Sequence, residues 1–200
     1  MTKNMSIDYY NKNAKKFTEE TLKVEFQEKH HMLLKYLKEG SHILDLGCGS
    51  GRDSNAFMAR GYRVTSLDGS VEMCKIASKF LGQEVICKGF SELDYVDEFD
   101  AVWACASLLH LTSHEVKKTF TRIAKALKQQ GYIYVSFKYG KFEGERNGRY
   151  FTDLTEESLT TLLEDKKMLT VVEMVITSDV RKGREGEKWL NAIIKKVKTK

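Results

Sequence analysis

The chain has 200 residues and a formal net charge of +5, with 42% hydrophobic and 30% charged residues, a composition typical of one globular domain. No apolar run reaches the ~18 residues of a membrane span and no charged-then-apolar leader opens the sequence, so we expect a cytoplasmic protein without a membrane partner. The four cysteines form no CxxC or Cys/His pair, which argues against a zinc site and a disulfide framework. We therefore expect no bound metal.

The positive charge is concentrated near the C-terminal end. Residues 181–200 contain eight Lys or Arg and two Glu, so the body of the chain is close to neutral. Such an end can contact nucleic acid or an anionic substrate, or it can be a strand edge whose lysines prevent aggregation. The second interpretation is favoured.

Helical spacing of apolar residues covers about residues 7–38 and ends before Gly40. Strands and helices then alternate. The predicted strands are 41–46, 62–67, 85–87, 99–105, 131–137, 169–177 and 189–197, and the predicted helices are 53–60, 71–80, 113–128 and one starting at Thr155. Residues 138–150 are expected to be a charged loop without periodicity. This alternation predicts a doubly wound α/β sheet.

A glycine-rich turn follows the first strand. Gly47, Gly49 and Gly51 let the backbone approach a ligand where a side chain would clash, which predicts a cofactor site. Asp68 ends the second strand about twenty residues later, the place of a ribose-binding carboxylate in dinucleotide-type folds. A turn-forming aspartate before Gly69 is the alternative.

Two further residues decide between cofactor classes. The dinucleotide fingerprint GxGxxG needs glycine where this chain has Arg52. Asp45 places an acid before the turn, which suits a cationic ligand better than a pyrophosphate. Both observations argue against a nicotinamide cofactor.

The set of motifs resembles that of class I S-adenosylmethionine-dependent methyltransferases. Residues 44–51 (LDLGCGSG) are similar to motif I, residues 67–70 (LDGS) with Met73 to motif II, and residues 99–104 (FDAVWA) followed by residues 108–111 to the motif IV region. The resemblance covers roughly residues 8–137, with Gln130 in place of the family's usual proline. It implies a Rossmann-like seven-stranded sheet with helices on both faces and an antiparallel last strand. We expect one domain, residues 1–200, with a helical lid over residues 1–40 and an α/β core over residues 41–200.

The resemblance further implies S-adenosylmethionine (SAM) as cofactor and S-adenosylhomocysteine (SAH) as product. In this reading the glycines line the methionine and ribose portions, Asp45 lies near the amino group and Asp68 holds the ribose. The implied cofactor-binding residues are Asp45, Gly47, Cys48, Gly49, Gly51, Arg52, Asp68, Gly69, Ser70, Met73, Phe90 and Ala104. A structural arginine at Arg52 and plain core packing at Cys48, Met73 and Phe90 are the alternatives.

On the acceptor side, His110 follows the fourth strand and is the candidate general base, with a structural or substrate-contacting histidine as the alternative. Tyr9 and Tyr10 resemble an aromatic lid segment, and Arg149 beside two aromatic residues is placed to clamp a carboxylate or phosphate. The segment 181–189 either folds over the site or is a plain connection.

Three functions are consistent with the sequence. The first is methyl transfer to a small molecule, as in the compact tellurite-resistance and thiol methyltransferase groups. The second is a tRNA methyltransferase of the wobble-uridine type, which the residues around Arg149 and Trp189 faintly resemble. The third is a non-catalytic SAM-binding protein. We expect a monomer or homodimer.

Overall fold

The computed structural model describes residues 5–165, 167–181, 183–184 and 186–198. The helices are α1 (Met5–Thr21), α2 (Gln27–Leu34), α3 (Arg52–Met58), α4 (Val71–Leu81), α5 (Ser113–Ala126) and α6 (Glu156–Leu163). The strands are β1 (His42–Leu46), β2 (Arg63–Asp68), β3 (Ile86–Cys87), β4 (Phe99–Ala104), β5 (Leu127–Lys138), β6 (Glu143–Arg146), β7 (Arg149–Thr152), β8 (Leu169–Ser178) and β9 (Lys188–Lys196).

Seven of these strands form one mixed sheet in the order β3-β2-β1-β4-β5-β9-β8. Strands β1 to β5 pair in parallel, and β9 is antiparallel to both β5 and β8. The predicted Rossmann-like sheet with an antiparallel last strand is therefore confirmed. None of the helices in the described part of the chain is long and apolar enough to cross a membrane.

The central strands are buried on both faces. On one face Ile43, Trp103 and Tyr134 pack with residues of α2 and α3, and the Trp103 and Tyr134 rings stack with their centroids 3.9 Å apart. On the other face Val102 and Val135 belong to a larger core that includes α5 and α6. This two-sided burial explains why β4 is a continuous apolar run rather than an alternating one.

The predicted loop over residues 138–150 is wrong. Strands β6 and β7 pair across a two-residue turn, with Asn147 and Gly148 at φ of 53° and 73°. Positive φ at both central positions is the geometry that Asn-Gly favours in tight hairpins. This dipeptide was therefore a usable sequence signal. The hairpin is joined to the sheet end by a bridge between Tyr139 and Leu154.

Helix α1 lies across the carboxyl ends of the strands, packed on α4 and β7. Asn11 Oδ1 accepts hydrogen bonds from Ser70 Oγ at 2.7 Å and Glu72 N at 3.3 Å, and Ser6 Oγ accepts one from Tyr150 N at 3.1 Å. These contacts place α1 between the glycine turn and the hairpin. Residues 1–4 of the expected lid lie outside the described residues.

Candidate active site

The glycine turn connects β1 to α3 in a conformation that requires glycine. Gly47, Gly49 and Gly51 have φ of 85°, 55° and 83°. A Cβ on Gly47 would lie 2.5 Å from Cβ of Ser107, closer than real Cβ contacts come. Both strain and space therefore exclude larger residues at Gly47.

Asp68 fastens this turn to the end of β2. Its Oδ2 accepts a hydrogen bond from Gly49 N at 2.9 Å, and its Oδ1 accepts one from Ser70 N at 2.8 Å. Burial raises the pKa of the Asp68 carboxyl above its ordinary value, against these backbone hydrogen bonds. A carboxylate offers about four acceptor positions. Asp68 therefore keeps acceptor capacity for a ligand hydroxyl, and it lines the adjacent cavity.

Asp45 lies beneath the turn. It is 2% exposed, and its Oδ2 accepts a hydrogen bond from Ser54 Oγ at 2.6 Å, while Ser54 Oγ also lies 2.7 Å from Ser66 Oγ. Burial, followed by the nearby charge of Asp53, raises the pKa of Asp45 to about 8. Both causes favour the protonated, uncharged form of the Asp45 carboxyl.

Asp53 is a site residue that sequence reasoning missed. Its carboxylate accepts hydrogen bonds from Arg52 Nε and Nη2 at 2.8 and 2.9 Å and from Trp103 Nε1 at 2.9 Å, and it lies 3.0 Å from His30 Nε2. The Arg52 guanidinium covers the ring of Phe26 at 3.8 Å. These partners keep the pKa of Asp53 below its ordinary value although burial opposes this. The Asp53 carboxylate thus fixes the position of Arg52, which also lines the adjacent cavity.

One cavity of about 450 Å³ adjoins these groups. Its volume is within the range of small-molecule sites. The predicted residues that line it are Tyr10, Gly47, Cys48, Gly49, Arg52, Asp68, Gly69, Ser70, Met73, Phe90, His110 and Arg149. The predicted residues that do not line it are Tyr9, Asp45, Gly51 and Ala104.

His110 lines the cavity and forms hydrogen bonds with residues of both α1 and the hairpin. Its Nδ1 is 2.8 Å from the carbonyl oxygen of Tyr150, and its Nε2 is 2.8 Å from Tyr10 Oη. Because a carbonyl only accepts, Nδ1 carries the proton and Nε2 accepts the Tyr10 hydroxyl proton. Burial lowers the pKa of His110 to about 4, so the ring is neutral at pH 7.

Arg149 extends from β7 over the same end. Its guanidinium lies 4.5 Å from the ring centre of Tyr9 and 5.1 Å from that of Phe151, and Nη1 donates to Tyr10 Oη at 3.3 Å. The structure thus brings together Tyr9, Tyr10, His110 and Arg149, which are distant in sequence.

The segment 181–189 reaches the cavity as well. Arg181, Arg184 and Trp189 line it, and Trp189 Nε1 donates to Asp179 Oδ2 at 3.0 Å. Lys182 and Glu185 of this segment lie outside the described residues. Across the part of the chain that the structure describes, no group of three or more His, Cys, Asp or Glu side chains is arranged to hold a metal ion.

Comparison with known proteins shows which proteins this chain is similar to. Residues 44–135 match the family model described as a methyltransferase domain. The match covers less than half of the chain. The resemblance to class I methyltransferases is confirmed by that match together with the sheet order.

A protein of Geobacillus sp. (strain WCH70) that is named provisionally as a methyltransferase is 37% identical to this chain over 109 residues. The aligned residues cover 50% of this chain and 44% of that protein. The ubiquinone biosynthesis O-methyltransferase of Dechloromonas aromatica (strain RCB) is 31% identical over 104 residues, which cover 48% and 44%. The chain therefore spans less than half the length of the curated relatives it matches.

Among solved structures, the 1,6-didemethyltoxoflavin-N1-methyltransferase of Burkholderia thailandensis, with bound 1,6-didemethyltoxoflavin and SAH, superposes with a TM-score of 0.75. It is 23% identical, and the alignment covers 96% of this chain and 85% of that one. At this identity the superposition establishes the shared fold alone.

Proposed function

We propose that this chain is a SAM-dependent methyltransferase whose acceptor is a small molecule. The observation that carries the proposal is the single cavity of about 450 Å³ that joins the glycine turn and Asp68 to Tyr10, His110 and Arg149. A methyl donor and its acceptor must share one water-excluding space so that nucleophile, methyl carbon and sulfur align. The proposal is supported because the candidate cofactor and acceptor residues line one cavity.

The residues of the turn fit the cofactor. The unused acceptor capacity of Asp68 suits ribose hydroxyls, and the positive-φ glycines leave the backbone open on the cavity side. Gly69, Met73 and Phe90 line the part of the cavity next to Asp68, where the adenine would lie. Bound SAM supplies an activated methyl group, so the protein itself needs no covalent chemistry.

The remaining residues position the acceptor and handle any proton. Helix α1 covers the cavity through Asn11 and Ser6, which supports its proposed role as a lid that excludes water. His110 is neutral at pH 7, but its Nε2 already accepts from Tyr10. As a general base, His110 would therefore act only after Tyr10 moves aside or passes a proton through its own oxygen.

Methyl transfer from SAM labelled in the methyl group, screened against fractionated metabolite and RNA pools, tests the proposal. We expect label in a small-molecule fraction with the wild-type protein and strongly reduced label with Asp68→Ala. Asp94→Ala is the matched control, because Asp94 is 74% exposed and its closest cation, Lys88 Nζ, is 3.7 Å away. Transfer to no fraction at all would contradict the enzyme and support the non-catalytic SAM-binding alternative.

Three expectations remain predictions: a tRNA acceptor as the alternative substrate, a monomeric or dimeric state, and a cytoplasmic location. The near-neutral body argues against strong RNA binding, since phosphate contacts require many cations. Label in the RNA fraction, with an affinity for bulk tRNA that falls steeply with salt, would favour the tRNA alternative instead.

A further inference from the structure

Arg149 lines the acceptor end of the cavity, and not all of its guanidinium N–H groups have a hydrogen-bond partner. Nη1 donates to Tyr10 Oη at a long 3.3 Å, and the buried Nε has no hydrogen-bond partner among the described residues. The guanidinium otherwise contacts aromatic faces, at 4.5 Å from the ring centre of Tyr9, 5.1 Å from Phe151 and 5.8 Å from Tyr10. Aromatic faces attract the cation but provide no acceptor atoms along its edge.

Two other basic side chains that line the cavity, Lys138 and Arg181, are neutralised by acids of the protein. Lys138 Nζ pairs with Glu187, and Arg181 pairs with Asp179 through two hydrogen bonds of 3.0 and 2.6 Å. No carboxylate of the described residues lies within ion-pair distance of Arg149. Unlike Lys138 and Arg181, Arg149 therefore has no acidic partner in the described part of the chain.

A partly buried guanidinium without a counter-charge has lost water contacts that, for Arg149, the Tyr10 hydroxyl and the aromatic faces replace only in part. An oxyanion in the cavity would replace them, because carboxylate and phosphate oxygens accept the paired N–H groups of a guanidinium. We propose that the methyl acceptor carries a carboxylate or phosphate group and that Arg149 binds this group. The inference rests on the proposed function and names its substrate class.

Two side chains beside Arg149, Tyr10 and His110, are uncharged at neutral pH. His110 is neutral at pH 7, and the phenol of Tyr10 has its pKa raised by burial and so keeps its proton. Neither adds charge. The Tyr10 hydroxyl bridges Arg149 and His110, so an anion held by Arg149 would lie beside α1 and the ring of His110.

Thermal unfolding of the SAH-saturated protein tests the proposal with three probes that share one ring: benzoate, phenyl phosphate and benzamide. A ligand of the folded state raises the midpoint in a saturable manner. We expect benzoate or phenyl phosphate to do so at concentrations about tenfold below those at which benzamide acts, since one charge-assisted contact contributes about tenfold or more in affinity. Sodium chloride keeps ionic strength equal in all arms.

Arg149→Gln should abolish the preference for anions, and Arg149→Lys should keep part of it. Arg146→Gln is the matched control from the same hairpin, because Arg146 pairs with Asp153 at 2.7 Å and does not line the cavity. This variant should keep the full preference. The two anions distinguish a carboxylate-bearing from a phosphate-bearing acceptor.

Three results would overturn the proposal: equal effects of benzamide and the anions, a preference that survives in Arg149→Gln, or no saturable effect of either anion up to about 50 mM. SAH is titrated separately in the same samples. Failure of SAH to bind would contradict the proposed function, whereas SAH binding without an anion effect would contradict only the substrate class. The benzoate and phenyl phosphate titrations are also carried out without SAH, so that anion binding and SAH binding are tested independently.

Discussion

Protonation of His110 should oppose folding. In the folded protein Nδ1 donates to the Tyr150 carbonyl oxygen and Nε2 accepts from Tyr10, and the pKa is lowered from 6.5 to about 4. The unfolded chain takes up a proton near pH 6.5, while the folded protein does so only near pH 4. The free energy of unfolding therefore falls as pH drops from about 6.5 to 4, by about 3 kcal/mol from this residue.

Urea denaturation at pH 7, 5 and 4, followed by tryptophan fluorescence, measures this contribution. We expect His110→Asn to be less stable than wild type at pH 7 by about 1 to 2 kcal/mol, because hydrogen bonds are lost. Between pH 7 and 4, the free energy of unfolding of His110→Asn should fall by about 3 kcal/mol less than that of wild type. His31→Asn is the control, because His31 is an exposed histidine of α2, and its stability should follow the wild-type pH dependence. If the free energy of unfolding of wild type and of His110→Asn falls by the same amount between pH 7 and 4, the claim that His110 is buried in its neutral form is refuted.

Three further predictions concern the glycine turn and the wall behind it. Asp68→Ala should weaken SAM and SAH by about 10- to 100-fold in calorimetry, since hydrogen bonds to a charged group contribute about 1.5 to 3 kcal/mol; equal affinities would remove the ribose assignment. Gly47→Ala should lower the unfolding free energy by 1 kcal/mol or more, on the order of a strained residue, and Ser107→Gly should restore part of it because the clash is with Ser107 Cβ at 2.5 Å. Trp103→Phe should cost about 1 to 3 kcal/mol by removing a donor to buried Asp53, measured by urea denaturation; a neutral result would contradict the role of that hydrogen bond.

Local patterns in the sequence predicted a doubly wound α/β sheet, and the family resemblance added the antiparallel last strand. The buried run of β4, the glycine turn and Asp68 each depend on residues close in sequence, and their roles in the fold follow from backbone geometry. The residues before α4 and α5, Ser70 and Thr112, are capping residues whose hydroxyls accept hydrogen bonds from Met73 N and Glu115 N.

The parts that were missed depend on longer separations or on an overlooked signal. Asp53 meets His30 and Trp103 across 23 and 50 residues, and nothing local in the sequence marks such a meeting. The hairpin was different, because Asn147-Gly148 is a strong local signal that the surrounding charges obscured. The neutral state of His110 likewise follows from Tyr10 and the hairpin closing over it, which sequence spacing cannot show.

The most direct test of the central claim is calorimetric titration of the wild-type protein with SAH, SAM and NAD⁺. The account predicts one saturable site for both SAH and SAM and no binding of NAD⁺, because the turn has Arg52 where a dinucleotide site needs its third glycine. Absence of SAH binding, or binding of NAD⁺ as tight as that of SAH, would contradict it.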